Sequence, residues 1–248
     1  MAGITNGDFC KKYRDLFGIV TIGAYNLDNA TLSASREIAK RGRREFLYDI
    51  PKLRKVIKRE IIEGKKSNSL VSVNIRFKDF NEAEDTIKLI DKYGDIIEIN
   101  CHCRQGEITK LGLGQELLKK ENNHILKDFL KGITELNLRI PVFLKIRANF
   151  ISVDELIYNL NKVRKYFDGL HVDCFNPGKD YPDLNYLEKI RENFKEKIIV
   201  GNNSIKSMED GKNMLKYSDM VSVARCVLSN NIQWISEFNK YIQNREIK

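Results

Sequence analysis

Residues 96–103 read IIEINCHC, the clearest example of a pattern that recurs along the chain. Its first part, Ile96–Asn100, is too short for a helix and is mostly apolar on both faces, which is typical of a strand buried in a parallel sheet. Polar and thiol side chains follow at once, up to Cys103, and mark the carboxyl end of that strand. A longer segment with helical periodicity comes next, at His124–Leu136. The region therefore predicts one strand–helix unit.

The same unit recurs along the chain, because further short runs rich in β-branched residues alternate with helical segments. The other predicted strands are Gly18–Gly23, Leu70–Ile75, Pro141–Ile146, Leu170–Val172, Lys197–Val200 and Met220–Val223. The other predicted helices are Thr31–Arg44, Asn81–Tyr93, Val153–Tyr166, Leu184–Asn193 and Ser207–Leu215. Alternating strands and helices predict a parallel α/β fold.

Met1–Ile4 is the candidate for an eighth strand, which would then begin at the first residue. With eight strands, a (β/α)8 TIM barrel fits the pattern better than an open, doubly wound sheet. Such barrels take about 250 residues. We therefore expect residues 1–248 to form a single barrel domain.

The composition argues against several other classes of protein. Hydrophobic residues make up 42% and charged residues 31% of the chain, a globular balance that argues against disorder. No apolar run reaches the ~18 residues of a membrane span, and residues 1–7 lack the basic and apolar regions of a signal peptide. The five cysteines are then expected to be free or functional thiols in a reducing, cytoplasmic location.

The net charge of +9 suits a phosphate-rich partner, either a nucleic acid or a phosphorylated cofactor, although basic proteins without such partners are common. The basic runs Lys40–Arg44 and Lys52–Arg59 are typical of solvated helix faces. They are also the candidates for contacting a polyanion.

Polar and reactive residues follow most of the predicted strands, and in a barrel the active site lies at the carboxyl ends of the strands. From the residues alone, Cys103 also fits a buried structural thiol, Lys145 an ion pair with Glu98, and His171 a core histidine. The five cysteines could also converge on the rim around iron–sulfur or zinc. The Cys101–Cys103 pair lacks the usual two-residue spacing, so no metal site is predicted.

Six segments, in order and spacing, together resemble the tRNA-dihydrouridine synthases, which are FMN-dependent (β/α)8 barrels. The segments are Met1–Asn6 (MAGITN), the block from Glu98 (EINCHC) to Gly112–Leu118 (GLGQELL), Pro141–Arg147 (PVFLKIR), His171, Gly201–Ile205 (GNNSI) and Ala224–Cys226 (ARC). The family's C-terminal helical domain has no counterpart here. The chain is thus identified as a divergent, barrel-only relative.

The resemblance implies an FMN-dependent oxidoreductase that reduces the C5–C6 bond of a uracil ring in tRNA, with NADPH or NADH as electron donor. Reduced FMN would deliver hydride to C6, and Cys103 would be the catalytic acid that protonates C5. The residues implied at the flavin are Ala2, Gly3, Asn74, Lys145, His171, Gly201, Asn202, Asn203, Ala224 and Arg225, and those implied at the substrate are Asn100 and Arg147. The alternatives are a flavin-dependent reductase of a small pyrimidine or other enone, and a non-catalytic barrel that binds RNA or a protein partner.

Overall fold

The chain forms one parallel β-sheet with helices packed against its outer face. The computed structural model describes residues 3–246. In this part of the chain the sheet has seven strands that lie side by side in chain order. They are β1 (Ile19–Asn26), β2 (Leu70–Arg76), β3 (Ile96–Cys101), β4 (Val142–Arg147), β5 (Gly169–Asp173), β6 (Ile198–Asn202) and β7 (Met220–Ser222). All seven lie where the apolar runs predict strands.

The helices fall between the strands, as the periodicity predicts. They are α1 (Gly7–Cys10), α2 (Asn29–Lys40), α3 (Ile50–Lys65), α4 (Phe80–Tyr93), α5 (Gly106–Thr109), α6 (Asn123–Glu135), α7 (Val153–Asn161), α8 (Leu184–Asn193), α9 (Met208–Met214), α10 (Arg225–Leu228) and α11 (Gln233–Glu246). The six predicted helices are confirmed as α2, α4, α6, α7, α8 and α9, whereas α3 and α11 are not predicted. None of the helices described here is long and apolar enough to cross a membrane.

Side chains alternate between the two faces of each strand, with a period of two residues. In β2 the apolar Val71, Val73 and Ile75 are fully buried in the main hydrophobic core. Asn74 lies between Val73 and Ile75, and Arg76 follows Ile75. These two polar side chains line a central cavity instead. The sheet therefore presents its apolar residues to the helices and many of its polar residues to the interior.

The prediction of an eighth strand at Met1–Ile4 is wrong for the residues that can be described. Gly3 and Ile4 form a turn, while Met1 and Ala2 lie outside the described residues. Only the next residue, Thr5, bonds to the sheet, because its carbonyl oxygen accepts a 3.0 Å hydrogen bond from the Gly23 amide of β1. The fold is thus a seven-stranded parallel α/β sheet in residues 3–246.

The C-terminal helix reaches across to the segment that precedes β1. The Asn239 side chain of α11 donates a 2.8 Å hydrogen bond to the Leu16 carbonyl oxygen. One cavity of about 640 Å³ is lined by residues of all seven strands and, near this crossing, by Trp234 and Phe238 of α11. The sheet is therefore curved around this interior space, with α11 beside the gap between β7 and β1.

The short helix α1 packs on α3 at a point where no side chain fits. The Gly7 amide donates a 2.8 Å hydrogen bond to the buried Glu60 carboxylate. A Cβ on Gly7 would meet the Glu60 carbonyl oxygen and would lie 2.7 Å from the Cβ of Glu63. We expect Gly7→Ala to lower the free energy of unfolding by about 1–3 kcal/mol, because helix backbone must move apart.

Urea unfolding of the two proteins measures this loss. Gly106→Ala is the matched control, because nothing lies within 4 Å of a Cβ at Gly106. Equal urea midpoints for Gly7→Ala and the unchanged protein would contradict the packing described for α1.

Candidate active site

Lys145 is a buried cation at the centre of the cavity. It lies on β4 with Asn100 of β3 beside it on one side and His171 of β5 on the other. Its Nζ donates a 2.7 Å hydrogen bond to the amide oxygen of Asn202. Within residues 3–246 no carboxylate oxygen lies within 4 Å of this Nζ, so the alternative of an ion pair with Glu98 is not formed.

The carboxylate of Glu98 is paired with His171 instead. The Nδ1 of His171 lies 2.6 Å from Oε2 of Glu98, and both side chains are buried. The Nε2 of His171 has no hydrogen-bond partner among the described residues, although the residue lines the cavity. A carboxylate can only accept a hydrogen bond, so Glu98 places the imidazole proton on Nδ1 and leaves Nε2 as a free base.

A chain of amides holds Glu98 in place. Asn74 donates a 2.7 Å hydrogen bond to Oε1 of Glu98, and Asn100 donates one of 2.9 Å to Asn74. The amide oxygen of Asn100 then accepts from the backbone N–H of Cys103 at 3.1 Å. The network therefore joins the Glu98–His171 pair to the loop that carries Cys103.

Burial and charge set the protonation states at the centre of the cavity. Burial by itself raises the pKa of Glu98, but His171, Lys145 and the Asn74 amide together lower it to about 2. Burial lowers the pKa of Lys145 to about 8, although Glu98 and Asp173 oppose this change. Burial, aided by Lys145, also lowers the pKa of His171. At neutral pH the site thus holds an ionised Glu98, a neutral His171 and a lysine near its titration point.

Cys103 lines the cavity and is half-buried. Its sulfur accepts a hydrogen bond of 3.6 Å from Arg76, a buried side chain that also pairs with Glu45. Cys103 therefore lies beside the cavity. Its expected role as the proton donor to a uracil ring depends on the resemblance to the tRNA-dihydrouridine synthases.

The other four cysteines do not converge on the rim, contrary to that alternative. Cys10, Cys101, Cys174 and Cys226 are all buried. Burial raises the pKa of Cys174 to about 12 and raises that of Cys101 further. Across residues 3–246, no three His, Cys, Asp or Glu side chains come close enough together to hold a metal ion.

A second polar group lies at the mouth of the cavity, around Asp173. Arg147 donates a 2.7 Å hydrogen bond to one carboxylate oxygen of Asp173, and Asn203 donates one of 2.6 Å to the other. Arg225 makes only long hydrogen bonds, of 3.4 Å, to Asn203 and Ser204. The loop after β6 and the start of α10 therefore come together.

The predicted site residues divide into two groups. Those that line the cavity are Asn74, Asn100, Cys103, Lys145, Arg147, His171, Asn202 and Ala224. Gly3, Gly201, Asn203 and Arg225 are described but are not part of its lining, and Ala2 lies outside the described residues. A Cβ on Gly201 would meet Met214 of α9, so this residue faces the helix layer.

Sequence reasoning missed two functional candidates. Glu98 was expected only as a partner for Lys145, although it stands two residues before Asn100 and so shares its inward face. His102 lines the cavity with an unpartnered Nδ1, and burial lowers its pKa well below the ordinary value. Period-two alternation in β3 is the signal that could have identified Glu98. No comparable signal marks His102.

No family model matches the chain. Over 240 residues it is 59% identical to the uncharacterized protein MJ0144 of Methanocaldococcus jannaschii. The aligned region covers 97% of this chain and 92% of MJ0144. The chain belongs to the MJ0144 family.

The fold of this chain is similar to a solved TIM-barrel-like structure, and a second one is a weaker match. One is 2,3-dimethylmalate lyase, a PEP mutase/isocitrate lyase superfamily member, with a TM-score of 0.52 and 11% identity over 98% of this chain and 86% of that one. Another is a truncated 3-deoxy-D-arabino-heptulosonate 7-phosphate synthase from Thermotoga maritima, with a TM-score of 0.48 and 12% identity over 93% and 85% of the two chains. At such identities the likeness concerns the fold.

These comparisons correct the resemblance to the tRNA-dihydrouridine synthases. The family is that of MJ0144, and the structural likeness is to a lyase barrel. The predicted FMN-dependent oxidoreductase acting on a uracil ring in tRNA is therefore wrong, as is its variant acting on a small pyrimidine or other enone. The matching segments are mostly strand ends and turns, which parallel barrels place at one rim whatever their chemistry. FMN and the nicotinamide donor are implied only by that resemblance.

Proposed function

We propose that the protein is a carbon–carbon lyase or synthase that binds a small carbonyl compound as an imine on Lys145. The observation that carries this proposal is a buried lysine, with its pKa lowered to about 8, that bonds to the neutral amide of Asn202 rather than to a carboxylate. A desolvated lysine of this kind is a nucleophile toward carbonyl carbon near neutral pH.

The neighbouring groups supply the proton transfers that the reaction needs. The neutral Nζ of Lys145 adds to the carbonyl carbon. The adduct takes up one proton from solvent and loses water, which leaves a cationic imine, and hydrolysis of the imine later returns that proton. Nε2 of His171 then takes the proton of a substrate hydroxyl, the adjacent C–C bond breaks, and its electron pair moves to the iminium nitrogen as an enamine. His171 returns the proton to the enamine carbon, and water releases the product from Lys145. Run in reverse, the same steps form the bond.

The placement of these residues supports a barrel-type active site. Lys145 lies two residues before the carboxyl end of β4, His171 lies beside it in the middle of β5, and Arg147 and Asp173 follow at the carboxyl ends, where barrels carry their chemistry. In this proposal the seven strands work as a barrel that is completed at its open seam by α11 and the segment before β1, rather than by the eighth strand of a regular (β/α)8 barrel.

Reductive trapping tests the proposed function. Incubation with pyruvate, acetaldehyde or dihydroxyacetone phosphate, each with sodium cyanoborohydride, should add the reduced carbonyl compound to one lysine. Mass spectrometry of peptides should place the added mass on Lys145 and not on exposed controls such as Lys40 or Lys55. Labelling spread over surface lysines, with none at Lys145, would overturn the proposal.

The pH dependence follows from the pKa of Lys145. Burial lowers this pKa from 10.5 to about 8, so the fraction of neutral amine rises as the pH rises through 8. We expect the initial trapping rate to increase between pH 6 and pH 8 and to level off above about pH 9. Trapping reactions that are stopped at several early times at each pH give the initial rate as a function of pH. A midpoint near 10.5 would show an ordinary, solvated lysine and contradict the burial argument.

A further inference from the structure

Arg147 is held rigidly at the mouth of the cavity. It donates its 2.7 Å hydrogen bond to Asp173, and its guanidinium lies 3.8 Å from the centre of the Phe175 ring. Stacking and pairing together fix the orientation of a side chain that otherwise has many rotamers. Its side chain is only 15% exposed.

A second cation, Arg104, faces the same region. It lies one residue after Cys103 and lines the cavity, and with burial it contributes to lowering the pKa of Arg147. The two carboxylate oxygens of Asp173 accept from Arg147 and Asn203. For Arg104 the described part of the chain offers no carboxylate within ion-pair distance.

We infer that Arg104 and Arg147 together bind an anionic group of the substrate, a carboxylate or a phosphate. This inference rests on the proposed function for the position of the carbonyl group. Two guanidinium groups that face one space repel each other unless an anion lies between them, and guanidinium matches both kinds of oxyanion by paired hydrogen bonds.

The spacing along β4 places the two cationic side chains close together. Arg147 is two residues after Lys145 and on the same face of the strand, so their Cα atoms are about 6.6 Å apart. The charged end of a short oxo acid or a ketose phosphate is one to a few bonds from its carbonyl carbon, so neighbouring side chains on one strand face can contact both. The substrate class is therefore a small anionic carbonyl compound.

Backbone contacts hold the loop that carries Arg104 in place. The Gln115 amide donates a 3.0 Å hydrogen bond to the carbonyl oxygen of Cys103. Gly114 has φ of +64°, and a Cβ there would meet that same oxygen. The backbone before Arg104 is thus fixed, while its side chain is exposed and free to close on a ligand.

Calorimetric titration with inorganic phosphate and with malonate tests the anion site on the full chain. We expect saturable binding of at least one of them, and the stronger ligand distinguishes a phosphate from a carboxylate preference. Arg104→Gln should weaken that binding roughly tenfold or more, and Arg104→Lys should restore part of it. Arg54→Gln is the control, because Arg54 is exposed and pairs with Asp85. Absence of binding, or equal binding by Arg104→Gln, would overturn the inference.

Two further measurements separate this inference from the proposed function. Arg104→Gln should slow the trapping of pyruvate, which is anionic, much more than the trapping of acetaldehyde, which carries no anionic group. Trapping of acetaldehyde by the unchanged protein tests the imine chemistry whatever the anion titration shows. Anion binding should persist in Lys145→Met, because the two arginines remain. If Lys145→Met alone abolished anion binding, the lysine itself would be the anion site and the inference would be wrong.

Discussion

Replacing Lys145 by methionine should abolish trapping of carbonyl compounds at the active site and make the protein more stable at neutral pH. Methionine keeps the length and much of the volume of lysine but has no nitrogen to form an imine. Loss of a nucleophile commonly lowers a rate by about 10⁴-fold or more. Quantitative mass spectrometry after cyanoborohydride reduction measures the labelled fraction over time. Comparable labelling of Lys145→Met and the unchanged protein would exclude Lys145 as the nucleophile.

The stability change has a defined sign because the pKa of Lys145 is lowered in the folded state, from 10.5 to about 8. At pH 7 both folded and unfolded chains carry the ammonium, and its burial costs on the order of 3 kcal/mol. Between pH 8 and pH 10.5 the folded chain binds fewer protons than the unfolded chain, so the unchanged protein gains stability as the pH rises. The advantage of Lys145→Met should therefore be largest at pH 7 and fade toward pH 10.5.

Urea unfolding at pH 7 and pH 10 measures this difference. Lys55→Met is the matched control, because Lys55 is exposed on α3. A Lys145→Met protein that is less stable at pH 7 would contradict the cost assigned to the buried ammonium.

Glu98→Gln should slow the proton transfers while leaving imine formation intact. The Glu98 carboxylate accepts from Nδ1 of His171 and so keeps Nε2 as a base. An amide there can donate to Nδ1, which moves the ring proton to Nε2 and removes the base. Changing the partner of a catalytic histidine in this way lowers rates by about 10²–10⁴-fold.

Hydrogen–deuterium exchange of bound pyruvate reports this step directly. The imine of pyruvate exchanges its methyl hydrogens with D₂O only when a base removes them, and proton NMR follows the loss of signal. We expect exchange to slow 10²–10⁴-fold in Glu98→Gln while cyanoborohydride trapping remains within a few-fold. Nitrogen NMR of His171 should show the tautomer change.

If Glu98 positions His171, Glu98→Gln should slow exchange and spare trapping. If Glu98 only supports the structure, both rates should fall. Glu196→Gln is the control, since Glu196 pairs with Arg164 at the surface. If exchange and trapping fell together in Glu98→Gln, the change would have damaged the site as a whole. Unaltered exchange would remove Glu98 and His171 from the mechanism.

Two of the helices without a predicted counterpart, α3 and α11, show where sequence patterns are weak indicators of structure. In α3 the buried stripe of Leu53, Ile57 and Ile61 is interleaved with lysines and arginines, which mark the solvated face more strongly than the buried one. The last helix, α11, lies beside the gap between the edge strands β7 and β1. Its burial depends on that gap, which no local sequence pattern specifies. Both depend on contacts between segments that are distant in the chain.

Local physics was enough to predict the strands, six helices and the polar rim. Apolar runs of strand length must be buried on both faces, and their polar ends must meet at one edge of a parallel sheet. The order of motifs along the chain nevertheless predicted the wrong reaction. Short segments at the ends of strands are shared by barrels with different reactions, so they indicate the fold more than the chemistry.

The sequence alone determined that Lys145, His171 and Glu98 lie on strands of one parallel sheet, since period-two alternation and apolar runs are properties of the local chain. Only the tertiary structure decided which of them pair. Glu98 bonds to His171 across 73 residues, and Lys145 is left with the neutral Asn202, 57 residues away. Those choices depend on the register and curvature of neighbouring strands, and they convert three titratable side chains into a nucleophile and a base.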